Sequence, residues 1–382
     1  MKNKVMFFYL NTGGGHYSPA KALSDYFLSN NSDLFETHLI DGLQKSSTFA
    51  KLTLEGGYRF LQNNAQWFYE LIYLFHKVRF IAAISNWLVS KNTKKYLTEI
   101  ITQEKPTTIV ILHFFMIKPI LKILKEKNIS SEVFVLVTDP YTAHPLWYVN
   151  KKVDFIVFSD ELKTDFISKG INEKNITVFP FVINNKYSNT LNYDLIEKLK
   201  KNYSLKHDKT VLIIGGADGL KNGKELIIEL NKKVKEVNII IVCGRNESLY
   251  REITDLKLSK SLDNLIVLGF ADNVYELINL ADLVITKCGA STIMEILLLG
   301  KIPLINSYLW EQEKGNKDFV VKNNLGFYIK ESKNVSEKVF QLFSDSKLMK
   351  EYETNINNKG LKNGLVDVGL FIQQISTSKH YS

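Results

Sequence analysis

"VMFFYLNTGGGHYSPAKAL", residues 5–23, sets an apolar run, three glycines and a helix-forming stretch in immediate succession. Six consecutive apolar residues read as a strand buried on both faces, the pattern of parallel sheets. Ser18 and Pro19 suit an N-cap and a first helical position, so the helix is expected to start there. Three adjacent glycines cost much backbone freedom on folding. In return they bring bare N–H groups to the positive end of a helix, where a phosphate or a reacting oxygen can approach. The stretch is neither G-x-G-x-x-G nor a P-loop, so NAD-binding and ATPase readings lose support.

The same alternation of short apolar runs and helical patterns continues to the end of the chain. Further strands are expected at 36–40, 108–113, 133–138, 155–159 and 177–179, then at 210–214, 238–242, 265–268, 283–286, 302–305 and 326–329. Helical segments between them predict two doubly wound α/β domains, at 1–183 and 184–364, joined near 181–192. The closing segment, 365–382, reads as an amphipathic helix that packs back on the first domain. Ligands of such sheets bind in the cleft at the strands' C-terminal ends.

Composition narrows the class. At 382 residues with 45% hydrophobic and 23% charged residues, the chain is globular and long enough for two cores. Two cysteines, Cys243 and Cys288, form neither a disulfide framework nor a metal-ligand spacing, which fits a reducing compartment. No signal peptide is read at the N-terminus and no run is long enough to span a bilayer. The net charge of +9 calls for an anionic partner. Between residues 45 and 95, eight basic residues face only Glu55 and Glu70, among aromatics that include Phe49, Trp67, Phe68, Tyr69 and Trp87. That mixture suits an anionic membrane surface on the cytoplasmic side, bound peripherally. No nucleic-acid-binding motif accompanies it, so nucleic acid is not expected as a partner.

Four stretches carry candidate chemistry. His16 ends the first glycine turn and, with an ordinary pKa near neutrality, suits a general base that takes a hydroxyl proton. "IIGGADGLKNGKELI" gives a second strand–glycine turn–helix unit, with Gly215, Gly216 and Asp218 in the turn and Lys221 and Lys224 beside it. "ITKCGASTIMEILLLGKIPLI" repeats the theme with Gly289, Ser291 and Thr292 before a helix bearing Glu295, a carboxylate able to accept two hydrogen bonds from a ribose diol. Gln312, Glu313 and Asn316, in "WEQEKGNKDFV", offer donors and acceptors for sugar hydroxyls.

Taken together, "TGGGH" at 12–16, "TDPYTAHPLW" at 138–147, "GGADG" at 215–219, "LGF" at 268–270, "KCGASTIMEILLLGKIPLI" and "EQEKGN" at 311–316 resemble glycosyltransferase family 28. The resemblance is to its glycolipid branch of monogalactosyldiacylglycerol synthases and processive diacylglycerol glycosyltransferases. It implies a GT-B fold of two Rossmann-like domains, with a UDP-sugar held mainly by the second and a lipid acceptor by the first. His16 would then be the base and Asp139 a catalytic partner, with His144 and Trp147 on the acceptor side. Gly14, Gly15, Gly215, Gly216, Asp218, Gly289, Ser291 and Thr292 would face the UDP-sugar, the backbone at Phe270 the uracil, Glu295 the ribose, and Gln312 with Glu313 the hexose. The family's Pro-Gly-Gly is Cys288-Gly289-Ala290 here, which removes one glycine at the helix start.

The implied reaction is inverting transfer of glucose or galactose to diacylglycerol or a glycosyl-diacylglycerol. The sequence has no Asp-x-Asp motif to hold a divalent ion, so neither a metal nor another cofactor is expected, and preorganised amides would stabilise the leaving diphosphate. Alternatives are a UDP-N-acetylglucosamine-dependent transferase acting on a polyprenol-linked acceptor, a UDP-N-acetylglucosamine 2-epimerase of the same architecture, and a non-catalytic sugar-nucleotide-binding subunit.

Overall fold

Twelve strands, all paired in parallel, build two six-stranded sheets in the computed structural model. It describes residues 2–11, 14–46, 57, 70, 75 and 79–378. Thr12, Gly13 and most of the basic, aromatic stretch lie outside the described residues. The first sheet contains β1 (Asn3–Tyr9), β2 (Phe35–Asp41), β3 (Thr108–Ile111), β4 (Glu132–Leu136), β5 (Asp154–Val157) and β6 (Ile176–Val178), in the order β2-β1-β3-β4-β5-β6. The second contains β7 (Lys209–Ile214), β8 (Val237–Val242), β9 (Leu265–Leu268), β10 (Leu283–Lys287), β11 (Ile302–Ser307) and β12 (Phe327–Tyr328), in the order β12-β11-β10-β7-β8-β9. Both are doubly wound α/β sheets.

The apolar runs work as their pattern predicts. Val5, Met6, Phe7 and Phe8 of β1, and Ile239, Ile240 and Ile241 of β8, are fully buried on alternating faces. Each such side chain contributes about 1.5–3 kcal/mol on leaving water. Parallel strands with both faces covered have no polar side to show in the sequence.

Two compact units divide the chain: residues 1–185, 309–312 and 363–382 form one, and residues 186–308 and 313–362 the other. Four helices bear on the site and on how the first unit closes: α1 (Gly14–Asn30), α2 (Arg79–Glu104), α3 (Ala290–Leu298) and α4 (Leu365–Ser378). α4 closes the first unit. Its Ser376 hydroxyl lies 2.6 Å from Thr108 Oγ1 at the foot of β3, and Gln373 accepts from Asn31 after α1. Phe371 packs on Phe134 and Phe179.

Each sheet reverses its strand order once. In the first unit the chain leaves β1 for β2 on one side and returns with β3 on the other; in the second it leaves β7 for β8 and β9 and returns with β10. These switch points open crevices at the C-terminal ends of β1 and β3, and of β7 and β10. The segments after those four strands are therefore the places to look for chemistry.

Candidate functional site

In the first unit, His16 follows β1 and His113 follows β3. The expected helix start at Ser18 is corrected: α1 begins at Gly14 and holds Pro19 inside it. Local capping signals lose here to tertiary hydrogen bonds on His16. Its Nδ1 lies 2.7 Å from the Leu112 carbonyl and 2.9 Å from Thr138 Oγ1, which pulls the first helical turn forward onto the sheet. A carbonyl only accepts, so Nδ1 carries the hydrogen and Nε2 keeps its lone pair. Burial pushes the imidazole down to about 4, partly opposed by the Leu112 bond. The expectation of a near-neutral pKa is corrected accordingly: the ring is neutral throughout the physiological range. Gly14 and Gly15 are exposed, and a Cβ on either would meet nothing within 4 Å.

Around His16 sits an aromatic stack that residue-by-residue reading missed in part. The His113 ring lies 4.5 Å from that of His16, and burial holds its pKa well below the ordinary value, with His16 and His144 adding to the depression. Its signal in the sequence was the polar "H" closing the apolar run of β3 at the switch point. Phe114 stacks on His144 at 4.6 Å and meets Trp147 edge-on at 5.5 Å. Trp147 is fully buried and donates from Nε1 to Asp139 Oδ2 at 3.1 Å, while His144 Nδ1 accepts from the Leu146 amide at 3.2 Å. Both side chains are enclosed in the unit, Trp147 bonded to Asp139 and His144 stacked on Phe114.

In the second unit the segment after β7 is a tightly wound turn. A Cβ on Gly215 would lie 2.1 Å from the Gly219 carbonyl group, and Gly216 takes φ +71, a conformation that favours glycine. The Arg245 amide donates to the Ala217 carbonyl at 2.7 Å, and Asn246 donates to the Asp218 carbonyl, so the turn is also pinned from β8's end. From β10, the Lys287 side chain reaches the turn: a Cβ on Gly216 would stand 3.3 Å from its Cε and 3.5 Å from its Nζ. Lys287 also contributes to lowering the pKa of Lys221, after desolvation. Two cations beside a glycine turn make an anion-binding corner. Lys287 is a second residue the sequence reading passed over.

α3 starts beside this corner, with Gly289 as its N-cap. Ser291 Oγ, in the first turn, is buried and has no hydrogen-bond partner among the described residues. One turn on, desolvation pushes the Glu295 carboxyl up to about 8, against the opposing pull of Lys186 and of a hydrogen bond from Tyr187. Phe270 is exposed and its ring carries the Arg245 guanidinium at 5.0 Å. Asn316 donates from Nδ2 to the Cys288 carbonyl at 3.0 Å, and a Cβ on Gly289 would lie 3.9 Å from Glu313 Oε1. Gln312 belongs to the first unit, where its carbonyl accepts from Thr142 at 2.8 Å, and Glu313 belongs to the second.

Glu36, His38 and Glu104 could together hold a metal ion. They lie toward the opposite, N-terminal ends of the strands, and Lys4 already pairs with Glu104 at 2.7 Å.

Comparison with known proteins gives one answer for both units. The monogalactosyldiacylglycerol (MGDG) synthase family model matches residues 16–183, and the glycosyltransferase family 28 C-terminal domain matches residues 210–368. A probable chloroplastic monogalactosyldiacylglycerol synthase of Nicotiana tabacum is 25% identical over 89% of the chain and 64% of its own length. The chain therefore spans under two thirds of that relative. A processive diacylglycerol beta-glucosyltransferase of Bacillus pumilus is 28% identical over 94% of the chain and 91% of its own length. Among solved structures, Anabaena HepE in complex with UDP-glucose shares the fold, with a TM-score of 0.60 at 14% identity over 98% of this chain and 99% of that one.

Proposed function

The chain belongs to the family 28 glycosyltransferases of the monogalactosyldiacylglycerol synthase type, and on that premise we propose that it transfers a hexose from a UDP-sugar to diacylglycerol or a glycosyl-diacylglycerol at a membrane surface. The observation that carries the reading is His16, whose Nδ1 is committed to Leu112 and whose Nε2 is left as a base at the C-terminal end of β1. The acceptor oxygen attacks the anomeric carbon, the bond from that carbon to the diphosphate oxygen breaks, and UDP leaves with inversion. The hydroxyl proton passes to His16 Nε2. It becomes acidic only as the new C–O bond forms, so a base held near 4 serves a late proton transfer. Asp139, fixed by Trp147, would be the catalytic partner on the same unit.

The donor side draws on the second unit. Amides of the Gly215–Gly219 turn and the start of α3 would receive the diphosphate, with Gly289, Thr292 and the unpartnered Ser291 hydroxyl as further contacts and Lys287 as the cation. Asp218 would border the same turn, Phe270 would meet the base, Glu295 the ribose, and Gln312 with Glu313 the hexose. These protein groups supply the charge stabilisation, and the reading requires no metal.

A lipid acceptor also accounts for α2. Ile84, Trp87, Leu88, Lys91 and Lys95 are exposed at helical spacing on one face, with the Lys91 ammonium 5.5 Å from the Trp87 ring centre. Val89, Thr93, Tyr96 and Leu97 are buried on the other. Such a face suits peripheral binding to anionic headgroups. Among the described residues no helix is long and apolar enough to cross a membrane.

The test is incubation with diacylglycerol liposomes and, in turn, UDP-glucose, UDP-galactose and UDP-N-acetylglucosamine, with His16→Ala as control. Lipid-dependent UDP release that collapses in the control is expected. Absence of lipid-dependent turnover with every donor sinks the proposal, and interconversion of the sugar nucleotide without lipid would favour the epimerase.

A further inference from the structure

Tyr187 stands far from Glu295 in sequence, in the short 3-10 turn Asn185–Ser188, yet its hydroxyl bonds the Glu295 carboxyl. We propose that Tyr187 is a positioning residue of the nucleotide site, turning the Glu295 carboxylate so that it accepts from the ribose hydroxyls. The inference rests on the reading of Glu295 as the ribose contact.

The tyrosine is built for a fixed orientation. Its side chain is buried, and its ring meets Tyr275 edge-on at 5.5 Å and 89°. Tyr275 is itself tied down by donating from its hydroxyl to the Asn189 carbonyl at 2.7 Å. The Lys186 ammonium lies 5.4 Å from the centre of the Tyr187 ring. Burial raises the Tyr187 pKa far above the ordinary phenol value, with Glu295 adding to the rise, so the hydroxyl keeps its proton and donates to the Glu295 carboxyl.

A carboxylate offers about four acceptor positions on two oxygens. Occupying one from Tyr187 fixes the plane of the group and leaves the others for a vicinal diol. Without that donor the desolvated carboxyl both rotates more freely and holds its proton more readily, which removes an acceptor from the diol. No other part of the nucleotide should notice the change. The effect of the hydroxyl is therefore specific to the sugar ring.

The experiment measures calorimetric Kd values of UDP and 2′-deoxy-UDP for the wild type, Tyr187→Phe and Glu295→Gln. The phenylalanine keeps the buried ring, so the turn folds. The wild type is expected to prefer UDP by about tenfold, the size of one hydrogen bond to a charged group. Glu295→Gln should flatten that preference. Tyr187→Phe should lower UDP affinity several-fold and that of 2′-deoxy-UDP, which keeps only the 3′-hydroxyl, by less, and so shrink the preference. Equal losses for both ligands in Tyr187→Phe would mean a purely structural tyrosine and overturn the inference. So would an undiminished preference in Tyr187→Phe alongside a flattened one in Glu295→Gln, with the ribose reading intact. A preference that survives Glu295→Gln would overturn the ribose reading itself, and this inference with it.

Discussion

Acidification interrogates the buried imidazole of His16. In the unfolded chain it titrates near the ordinary 6.5, and in the folded protein burial pushes it down to about 4. Between those values the unfolded state binds more protons, so the stability is complete above 6.5 and is lost as the pH falls through 6.5 toward 4. The separation of the two titration curves amounts to about 2 kcal/mol between pH 7.5 and pH 5, and about 3 kcal/mol below pH 4. His113, also depressed by burial, steepens the wild-type dependence, so the comparison needs a variant that retains it. His16→Gln does, and its amide can still donate to the Leu112 carbonyl. Urea unfolding followed by tryptophan fluorescence reports the right unit, because Trp87, Trp147 and Trp310 all belong to the unit that holds His16. The variant is expected to lose about 2 kcal/mol less than the wild type between pH 7.5 and pH 5. Removing a neighbour that depresses His113 only widens that gap. Equal losses in the two proteins would refute the buried, neutral His16 on which the base assignment depends.

Other expectations isolate single parts of the site. Gly215→Ala places a Cβ 2.1 Å from the Gly219 carbonyl group, so UDP affinity by calorimetry should fall at least about tenfold while first-unit fluorescence unfolding stays unchanged. A Cβ on Gly15 meets nothing within 4 Å among the described residues, so Gly15→Ala should raise stability by about 0.5 kcal/mol. Its kcat/KM for the UDP-sugar should nonetheless drop, and unchanged turnover would move the sugar nucleotide away from this turn. Trp87→Ser combined with Lys91→Ser should weaken sedimentation with anionic vesicles about tenfold, yet spare turnover of detergent-dispersed acceptor. Unaltered sedimentation would remove α2 from the membrane account.

What was readable in the sequence depended on whether its cause was local. The inner strands were legible because double-sided burial writes itself as unbroken apolar runs, as in Val211–Ile214 and Ile239–Val242, whereas edge strands such as β2 are only half-buried and mixed in sequence. The start of α1 was misread because Ser18 and Pro19 are good local signals, while the bonds from His16 to Leu112 and Thr138 come from other strands. Trp147 shows the same limit. A tryptophan in a polar motif gives no sign in the sequence that its indole is enclosed and donates to Asp139. His113 and Tyr187 could be placed only once the strand order and the loop path had brought them to His16 and Glu295.

The two titratable groups that carry most of the proposed chemistry are displaced in opposite directions by one cause. Desolvation lowers His16 to about 4 and raises Glu295 to about 8, so both favour their neutral forms at physiological pH. For His16 this is the form that accepts a proton. For Glu295 it is a form that a diol-binding carboxylate must leave, and Tyr187 and Lys186 both act in that direction. One group is thus poised by burial alone, while the other needs partners to offset it. A site built this way charges its carboxyl only when ribose hydroxyls add to what the polar neighbours already supply. On the proposed reading, the short turn carrying Lys186 and Tyr187, at the point where the chain passes from one unit into the other, would belong to the donor site.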